Sequence, residues 1–445
     1  MSHPLVQLLR TEETRKRLVT TLGLLAAYRI GFQIPIPGMS PEYLRETAQN
    51  AASTVFGLLS AFSGAAIGQT AIFSLGIMPY ISASIIFSIL VKVSPRLEAV
   101  QKEGAAGQKR ISQWTRLVTV PIALLQSLLI WFTVFASEPG IFAGGGGPTL
   151  DKLLIVVLGL TAGAIVVMWI GELITEHGVG NGASLIIMAG IIATMPSSIS
   201  QVFSRGDDPY DTILTLVVLW LAIVVGVVFI QKGERRIPIQ YARLTRGRMV
   251  YGGQKHYLPL KVNMAGVMPI IFASALFAIP GVLLSSIGWT GLANLIQDPD
   301  GFIHVAGYLA LVFFFCFFWN NLMFQPDDIA NNLREHGSFI PGIRPGLKTS
   351  EEIGRVLNRI TLAGAAFLAV VAVLPNFITA RIPGLDGNLA YFLGGTSVLI
   401  VVGVAMDLVD KLNAQLVMRN YEGFMKGGKG PRGGSSAPGW ASRRS

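Results

Sequence analysis

The stretch STVFGLLSAFSGAAIGQTAIFSLGIMPYISASIIFSILVK, from Ser53 to Lys92, decides how the chain is organised. From Ala71 onward it is apolar enough to enter a membrane, but Gly76 and Pro79 interrupt it and disfavour a straight helix. The preceding piece, Gly57 to Thr70, is rich in small residues. It is too short and too polar to cross about 30 Å of hydrocarbon alone.

Two interpretations of this stretch remain open. Either the weak piece is a re-entrant segment that feeds a half-helix, or it is an outside loop before one ordinary span. Irregular backbone at membrane depth is tolerated only where protein or a water-filled cavity surrounds it. The first interpretation therefore predicts a central cavity, walled by the other helices.

The composition indicates a polytopic membrane protein. Of the 445 residues, 51% are hydrophobic and 13% are charged, against about 25% charged in an average soluble protein. The mean hydropathy is +0.56. Apolar runs recur from end to end, which excludes a soluble domain of useful size. The single cysteine, Cys316, lies in such a run and is predicted to be packed.

Ten apolar segments are predicted to span the membrane, at residues 18–36, 71–92, 115–136, 152–172, 183–203, 212–231, 264–287, 303–324, 356–374 and 392–413. Basic residues concentrate before the first span, in the 2–3, 6–7 and 8–9 loops, and after the tenth span. The remaining loops hold only Arg45, Lys152, Arg205 and Arg381. The positive-inside rule therefore places both termini in the cytoplasm. The Gly/Ser-rich end, residues 426–445, predicts a disordered cytosolic tail.

Ionisable residues are almost absent from the predicted spans. Most secondary transporters need such groups near the bilayer midplane, whereas here Arg29 can snorkel outward and Glu172 and Asp407 lie at helix ends. Motifs of hydrolases and phosphate-binding loops are absent from the sequence, so no catalytic residue, metal or cofactor is predicted. A cavity without charges has to be closed by apolar side chains or a plug, which suits a chemically variable substrate.

Two predicted cytoplasmic loops carry candidate binding residues. The 6–7 loop, residues 232–261, has eight Lys or Arg against one acid and predicts a protruding hairpin. It either sets topology alone or binds a large anionic partner. In the 8–9 loop, Arg344 lies within PGIRPG, where proline and glycine restrict the backbone. It either presents one guanidinium to a partner or is satisfied within the fold.

Seven stretches along the chain resemble the SecY family of protein-translocase channels. They are YRIGFQIPIPG (28–38), AIFSLGIMPYISASIIFSIL (71–90), KEGAAGQKRISQWTR (102–116), GELITEHGVGNGASLIIMAGI (171–191), YLPLKVNMAGVMPIIFAS (257–274), GSFIPGIRPGLKT (337–349) and GGTSVLIVVGVAMD (394–407). They occur in the family's order over nearly the whole chain.

The resemblance implies an all-α polytopic fold with ten transmembrane helices in two pseudo-two-fold related halves, 1–205 and 206–425. It implies a re-entrant plug at about 57–70 and a discontinuous second span. The implied function is translocation of unfolded preproteins across the membrane and lateral release of transmembrane segments into it. A secondary transporter of a small solute remains the alternative.

The resemblance also implies four sets of site residues. A pore ring would consist of Ile77, Ile81, Ala183, Ile187, Ile271 and Ile400, where Ala183 departs from the usual bulky aliphatic residue. A lateral gate would include Ser82, Ile85, Ile86, Ile89, Met268, Ile270 and Ser274. The plug would include Phe62, Ser63, Gly64, Ala65, Ala66 and Ile67. Docking of SecA or the ribosome would use Arg344, Arg235, Arg236, Arg243, Arg246 and Arg248.

The partners that the resemblance implies are the small membrane subunits SecE and SecG, the motor ATPase SecA, the ribosome, preproteins that bear signal sequences, and membrane lipid. ATP would be hydrolysed by SecA and not by this chain. The implied location is the plasma membrane.

Overall fold

The computed structural model describes residues 12–39, 71–135, 142, 149–205, 209–241, 244–246, 249–251, 255–263, 266–270, 272–273, 276–277, 280, 284, 289–298, 301–381 and 395–426. The helices up to residue 205, here called the first half, are α1 (Glu12–Gly31), α2 (Met78–Val93), α3 (Pro95–Lys102), α4 (Ala105–Ile130), α5 (Leu150–His177) and α6 (Gly182–Arg205). Those after residue 205, here called the second half, are α7 (Pro209–Lys232), α8 (Thr290–Gln297), α9 (Phe302–Met323), α10 (Pro326–Glu335), α11 (Leu347–Arg381) and α12 (Gly395–Lys426). The strands are β1 (Glu234–Tyr241), β2 (Leu244–Arg246), β3 (Met249–Tyr251), β4 (Lys255–Lys261) and β5 (Ser338–Phe339).

Several of these helices can cross a bilayer. Within the described ranges, five helical segments are long and apolar enough, and a sixth candidate is the α2–α3 pair, which bends by 100°. The five are Ala105–Ile130, Leu150–His177, Leu214–Lys232, Phe302–Glu335 and Leu347–Leu374. The chain is therefore a multi-pass membrane protein, whereas the count of ten spans stays a prediction.

The second predicted span is interrupted, as its sequence indicates. Residues 72–77 form turns, Gly76 has a φ of 54°, and the helix begins only at Met78 with Pro79 in its first turn. Proline is tolerated there because the first helical amides have no intrahelical acceptor. The predicted break at Gly76 and Pro79 is therefore confirmed, and only the part of the predicted span from Met78 onward is a regular helix.

The first predicted span ends earlier than its sequence suggests. Residues 18–36 were predicted to be helical, but α1 stops at Gly31. Turns follow, and Pro35 forms an isolated bridge with Ala71. Apolarity continues past the helix end because this segment still packs inside the molecule, where Ile36 is buried. Hydrophobicity alone could not reveal that end.

The broken segment is seated against two glycines. A Cβ on Gly163 of α5 would lie 1.9 Å from the carbonyl oxygen of Ile72, and one on Gly31 would lie 2.0 Å from the ring of Phe73. Only residues without a Cβ permit such close approaches. Helix α5 also packs against α1, α2, α4 and α6, so it forms the centre of the first half.

In the second half, α11 packs against α7, α9, α10 and α12, and the two halves meet where α6 contacts α7 and α12. Cys316 is buried in this half, as predicted. The predicted seventh span, 264–287, is described only in part; residues 268–270, 272–273 and 276–277 are helical. The division at 205/206 and the tail from 426 remain predictions, and residues 427–445 lie outside the described part.

The predicted hairpin of the 6–7 loop is confirmed. Strand β1 pairs antiparallel with β4, from Glu234 opposite Lys261 to Gln240 opposite Lys255. Farther along the loop, β2 pairs with β3. The short β5, from the 8–9 loop, joins the other edge of β1 through the pair Gln240 and Phe339. The two loops therefore share one sheet, in the order β4-β1-β5.

Candidate functional site

Most of the predicted pore-ring residues lie together in one buried apolar group, here called the central cluster. Ile77, Ile81, Ile187 and Ile400 are each at most 8% exposed and belong to it, and Ala183 packs against it. They come from residue 77 at the start of the second span and from α2, α6 and α12, which are far apart in sequence. The sixth predicted member, Ile271, lies outside the described residues.

Small residues allow α6 to enter the central cluster. A Cβ on Gly182 would lie 1.8 Å from the carbonyl oxygen of Gly171, so α5 and α6 are in backbone contact at the GVGNG turn. The turn is capped, because Asn181 Oδ1 accepts from the amide of Ala183 at 3.0 Å and Thr175 Oγ1 accepts from that of Gly182 at 2.8 Å. These contacts bring Ile187 into the same cluster as Ile77.

The charged residues that border the spans are engaged in local contacts. Glu172 forms an ion pair with Arg116 of α4, and Asp407 pairs with Lys411 at 2.8 Å. The guanidinium carbon of Arg29 lies 5.5 Å from the centre of the Phe32 ring, a cation–π distance. Each of these three residues therefore has a nearby partner within the protein.

Among the predicted gate residues of α2, Ile85 lies at the boundary between the two halves, here called the seam. Ile85 packs against both the central cluster and the second-half cluster that contains Ile270. Ile270 is fully buried, whereas Met268 is 36% and Ile86 is 46% exposed. Ile89 is half-buried. The seam is therefore packed inside the protein at Ile270 and exposed on its outer surface at Met268 and Ile86.

The remaining predicted gate residues are placed less completely. Ser82 is half-buried, and its Oγ accepts from Nε2 of Gln126 at 3.4 Å, which links α2 to α4. Ser274 lies outside the described residues, as do all six predicted plug residues, Phe62 to Ile67.

The sheet and the elements around it form a second candidate site, here called the basic platform. Its core joins β1, β4 and the start of α11 through Ile237, Leu260 and Ile353. On β1, Arg235 and Arg236 are exposed, and Arg236 pairs with Glu234 at 2.6 Å. Arg246 lies on β2. Arg243 and Arg248 lie outside the described residues.

The PGIRPG turn is fixed on this platform. Gly342 and Gly346 have φ angles of 85° and 103°, which favour glycine. Ile343 packs into the platform core, and the carbonyl of Arg344 accepts from Thr349 Oγ1 at 2.9 Å. The Arg344 side chain is exposed, and its guanidinium has no hydrogen-bond or ion-pair partner within the described part of the chain. The PGIRPG turn thus holds the backbone of Arg344 in place and leaves its guanidinium exposed to solvent.

A family model described as SecY matches residues 71–409. The chain belongs to the SecY family. Among the SecY relatives, the "Protein translocase subunit SecY" of Streptomyces coelicolor is 42% identical over 94% of this chain and 98% of its own. The subunit of that name from Mycobacterium tuberculosis H37Rv is 41% identical with the same coverage.

Solved SecY and Sec61 structures share the fold. One, titled "The structure of a protein conducting channel", matches with a TM-score of 0.62 at 20% identity and covers 91% of this chain and 93% of the other. Sec61 from a canine ribosome-channel complex matches with a TM-score of 0.58 at 19% identity, covering 91% and 93%. The predicted family and the all-α polytopic fold are thereby confirmed.

Some residues at the seam of this SecY-family chain were missed from its sequence. Leu219, Trp220 and Leu374 each pack against both the central and the second-half cluster. Each lies in an apolar run among similar residues, so periodicity gives no signal that separates a seam residue from any other buried one. Only the packing of the two halves distinguishes them.

Proposed function

We propose that this chain is the channel-forming subunit of a protein translocase, which passes unfolded preproteins across the membrane and releases transmembrane segments sideways into lipid. The observation that carries the proposal is the meeting of Ile77, Ile81, Ile187 and Ile400 in one buried cluster between the halves. The family and the names of the relatives point to the same function.

An apolar ring suits this task. Side chains without charges or hydrogen-bonding groups seal by contact and by excluding water. They make no strong specific bond to a polypeptide, so a chain of any sequence can leave as readily as it enters. Ala183 contributes a small side chain to the proposed ring. The space that a bulky aliphatic residue would fill there can be taken up by neighbouring side chains.

Lateral entry would use the seam next to Ile85. An apolar signal sequence or transmembrane segment would replace helix–helix contacts between the halves. Burial of each CH₂ contributes ~0.8 kcal/mol, so a core of about ten apolar residues has enough energy to shift a two-state gate. The piece 57–70 would then move aside as the plug.

The basic platform would serve as the docking surface. Arg344 on its fixed turn suits contact with an acidic surface of SecA, and Arg235, Arg236, Arg243, Arg246 and Arg248 suit the phosphate-rich ribosome. SecA would hydrolyse the ATP. SecE and SecG would complete the complex in the plasma membrane, with both termini of this chain in the cytoplasm.

The alternative is a secondary transporter of a small solute. That function requires an ionisable site near the midplane. Glu172 and Asp407, the candidate acids, are instead paired with Arg116 and Lys411, which favours the translocase.

The test is reconstitution of the chain with SecE and SecG in liposomes, with SecA, ATP and a labelled preprotein. We expect preprotein protected from added protease, and none when the signal sequence is deleted. Uptake of a small solute driven by an ion gradient, without protected preprotein, would establish the transporter instead.

A further inference from the structure

A polar bridge joins the two halves at one end of the seam. The side-chain amide of Gln325 lies between Lys92 and Asp328. With the amide turned so that its donors face acceptors, its nitrogen donates to Oδ2 of Asp328 at 2.7 Å and its oxygen accepts from Nζ of Lys92 at 3.1 Å. Lys92 belongs to α2 in the first half, while Gln325 and Asp328 belong to the start of α10 in the second.

Lys92 lies on the face of α2 that meets the second half. Residues 85, 89 and 92 are spaced as i, i+4 and i+7, which places them on one side of a helix. Ile85 packs against the second-half cluster, Ile89 is half-buried, and Lys92 is in the last turn. The charged Lys92 therefore lies at the end of the apolar seam, about 10 Å along the helix from Ile85.

The other side of the bridge is firmly anchored. Ser350 of α11 donates to Oδ1 of Asp327 at 2.5 Å, which fixes the first turn of α10 to α11. Ile329 and Leu333 of α10 pack into the core of the basic platform. Asp328 is in the first helical turn, where the helix dipole favours a carboxylate. The same platform carries the Arg344 turn.

We propose that Lys92, Gln325 and Asp328 form a latch that holds the two halves together at the end of the gate, so that the latch and the apolar seam jointly set how easily the gate opens. This inference rests on the proposed translocase function. The contact from Lys92 to Gln325 crosses between the halves and is lost when they separate, whereas the contact from Gln325 to Asp328 lies within the second half and holds the amide in place.

The glutamine makes the latch testable by charge exchange. A side-chain amide donates at one end and accepts at the other, and it can turn over by rotation about χ3. With Glu at position 92 and Lys at position 328, a turned Gln325 can donate to the new carboxylate and accept from the new ammonium. Either single reversal leaves two like charges facing the same amide.

The experiment compares Lys92→Glu, Asp328→Lys and the double variant, with Lys109→Glu as a matched control on the exposed start of α4. In the Cys316→Ser background, spin labels at Arg96 on α3 and Asn331 on α10, both exposed, report the distance between the halves. We expect longer distances in each single variant and wild-type distances in the control. In the double variant we expect distances shorter than in either single variant, because Glu98 and Lys102 of α3, which interact with Lys92 and Asp328, oppose a full return.

A second readout is translocation of a preprotein whose signal sequence has been made less apolar. We expect each single variant to raise its translocation by about two- to five-fold, the scale of one partly exposed ion pair, and the double variant to lie closer to the wild-type rate than either single variant. Where a reversal prevents folding, Lys92→Gln and Asp328→Asn are expected to give the same direction.

Unchanged distances in both single variants, or effects that add in the double variant, would overturn the latch. If wild-type protein fails to translocate even a strongly apolar signal, the proposed function fails, while the spin-label distances still decide whether the latch exists.

Discussion

The central cluster and the basic platform are built in opposite ways. The cluster gathers isoleucines from distant parts of the chain, and it depends on glycines that bring α5 and α6 together. The platform is organised by the β1–β4 hydrogen-bond ladder around a small apolar core and displays arginines outward. Changes in side-chain volume should therefore affect the stability of the central cluster. Changes in charge should affect the function of the basic platform. The three predictions below are ordered by their expected effect on stability.

The largest effect is expected for Gly182→Val. The new Cβ would lie 1.8 Å from the carbonyl oxygen of Gly171, and backbone cannot move aside as a flexible side chain can. Overpacking of this kind costs about 3 kcal/mol or more. The yield of monodisperse protein in detergent and its unfolding in mixed micelles measure the loss.

Gly226→Val on α7 is the matched control, because nothing beyond its chain neighbours and its own helix backbone lies within 4 Å of its Cβ position. It makes the same chemical change in another helix and should leave the protein folded. Equal yields of the two variants would contradict the close contact of α5 and α6.

An intermediate effect is expected for Ile187→Ala. Truncation of this buried side chain leaves a cavity in the central cluster and costs about 2 kcal/mol. If the cluster is the seal of a channel, the variant should also leak ions in a liposome conductance assay. Ile192→Ala, on the same helix but 45% exposed, should do neither. A stability loss without leakage would make the cluster ordinary packing.

The smallest effect on stability is expected for Arg344→Glu. The side chain is exposed, so unfolding should shift by less than about 0.5 kcal/mol. SecA-driven translocation should nevertheless be blocked while SecE and SecG still assemble with the chain. Lys348→Glu, a nearby exposed lysine that pairs with Glu351 at 3.0 Å, controls for charge. Loss of assembly in Arg344→Glu would assign the arginine a structural role instead.

Much of this arrangement could be predicted from sequence because its signals are local. The apolar runs, the break at Gly76 and Pro79 and the hairpin around Arg246 each follow from residues close together in the chain. The assignment of the ring positions came from family resemblance, and the structure brings Ile77, Ile81, Ile187 and Ile400 into one cluster.

Other features depend on contacts between distant segments. The bridge from Pro35 to Ala71, beyond the end of α1 at Gly31, joins two distant segments and cannot be read from hydrophobicity. The bridge from Lys92 to Gln325 joins residues more than two hundred positions apart. A lysine near a helix end predicts only a solvated charge until its neighbour across the seam is known.

The glycines at positions 31 and 163 have a mechanical consequence. With the Phe73 ring against one and the Ile72 carbonyl against the other, the turns before α2 are wedged between α1 and α5. Helix α2 then has little freedom to swing alone, since its root would collide with both neighbours. If the halves separate, α1, α2 and α5 are expected to move together as one rigid unit.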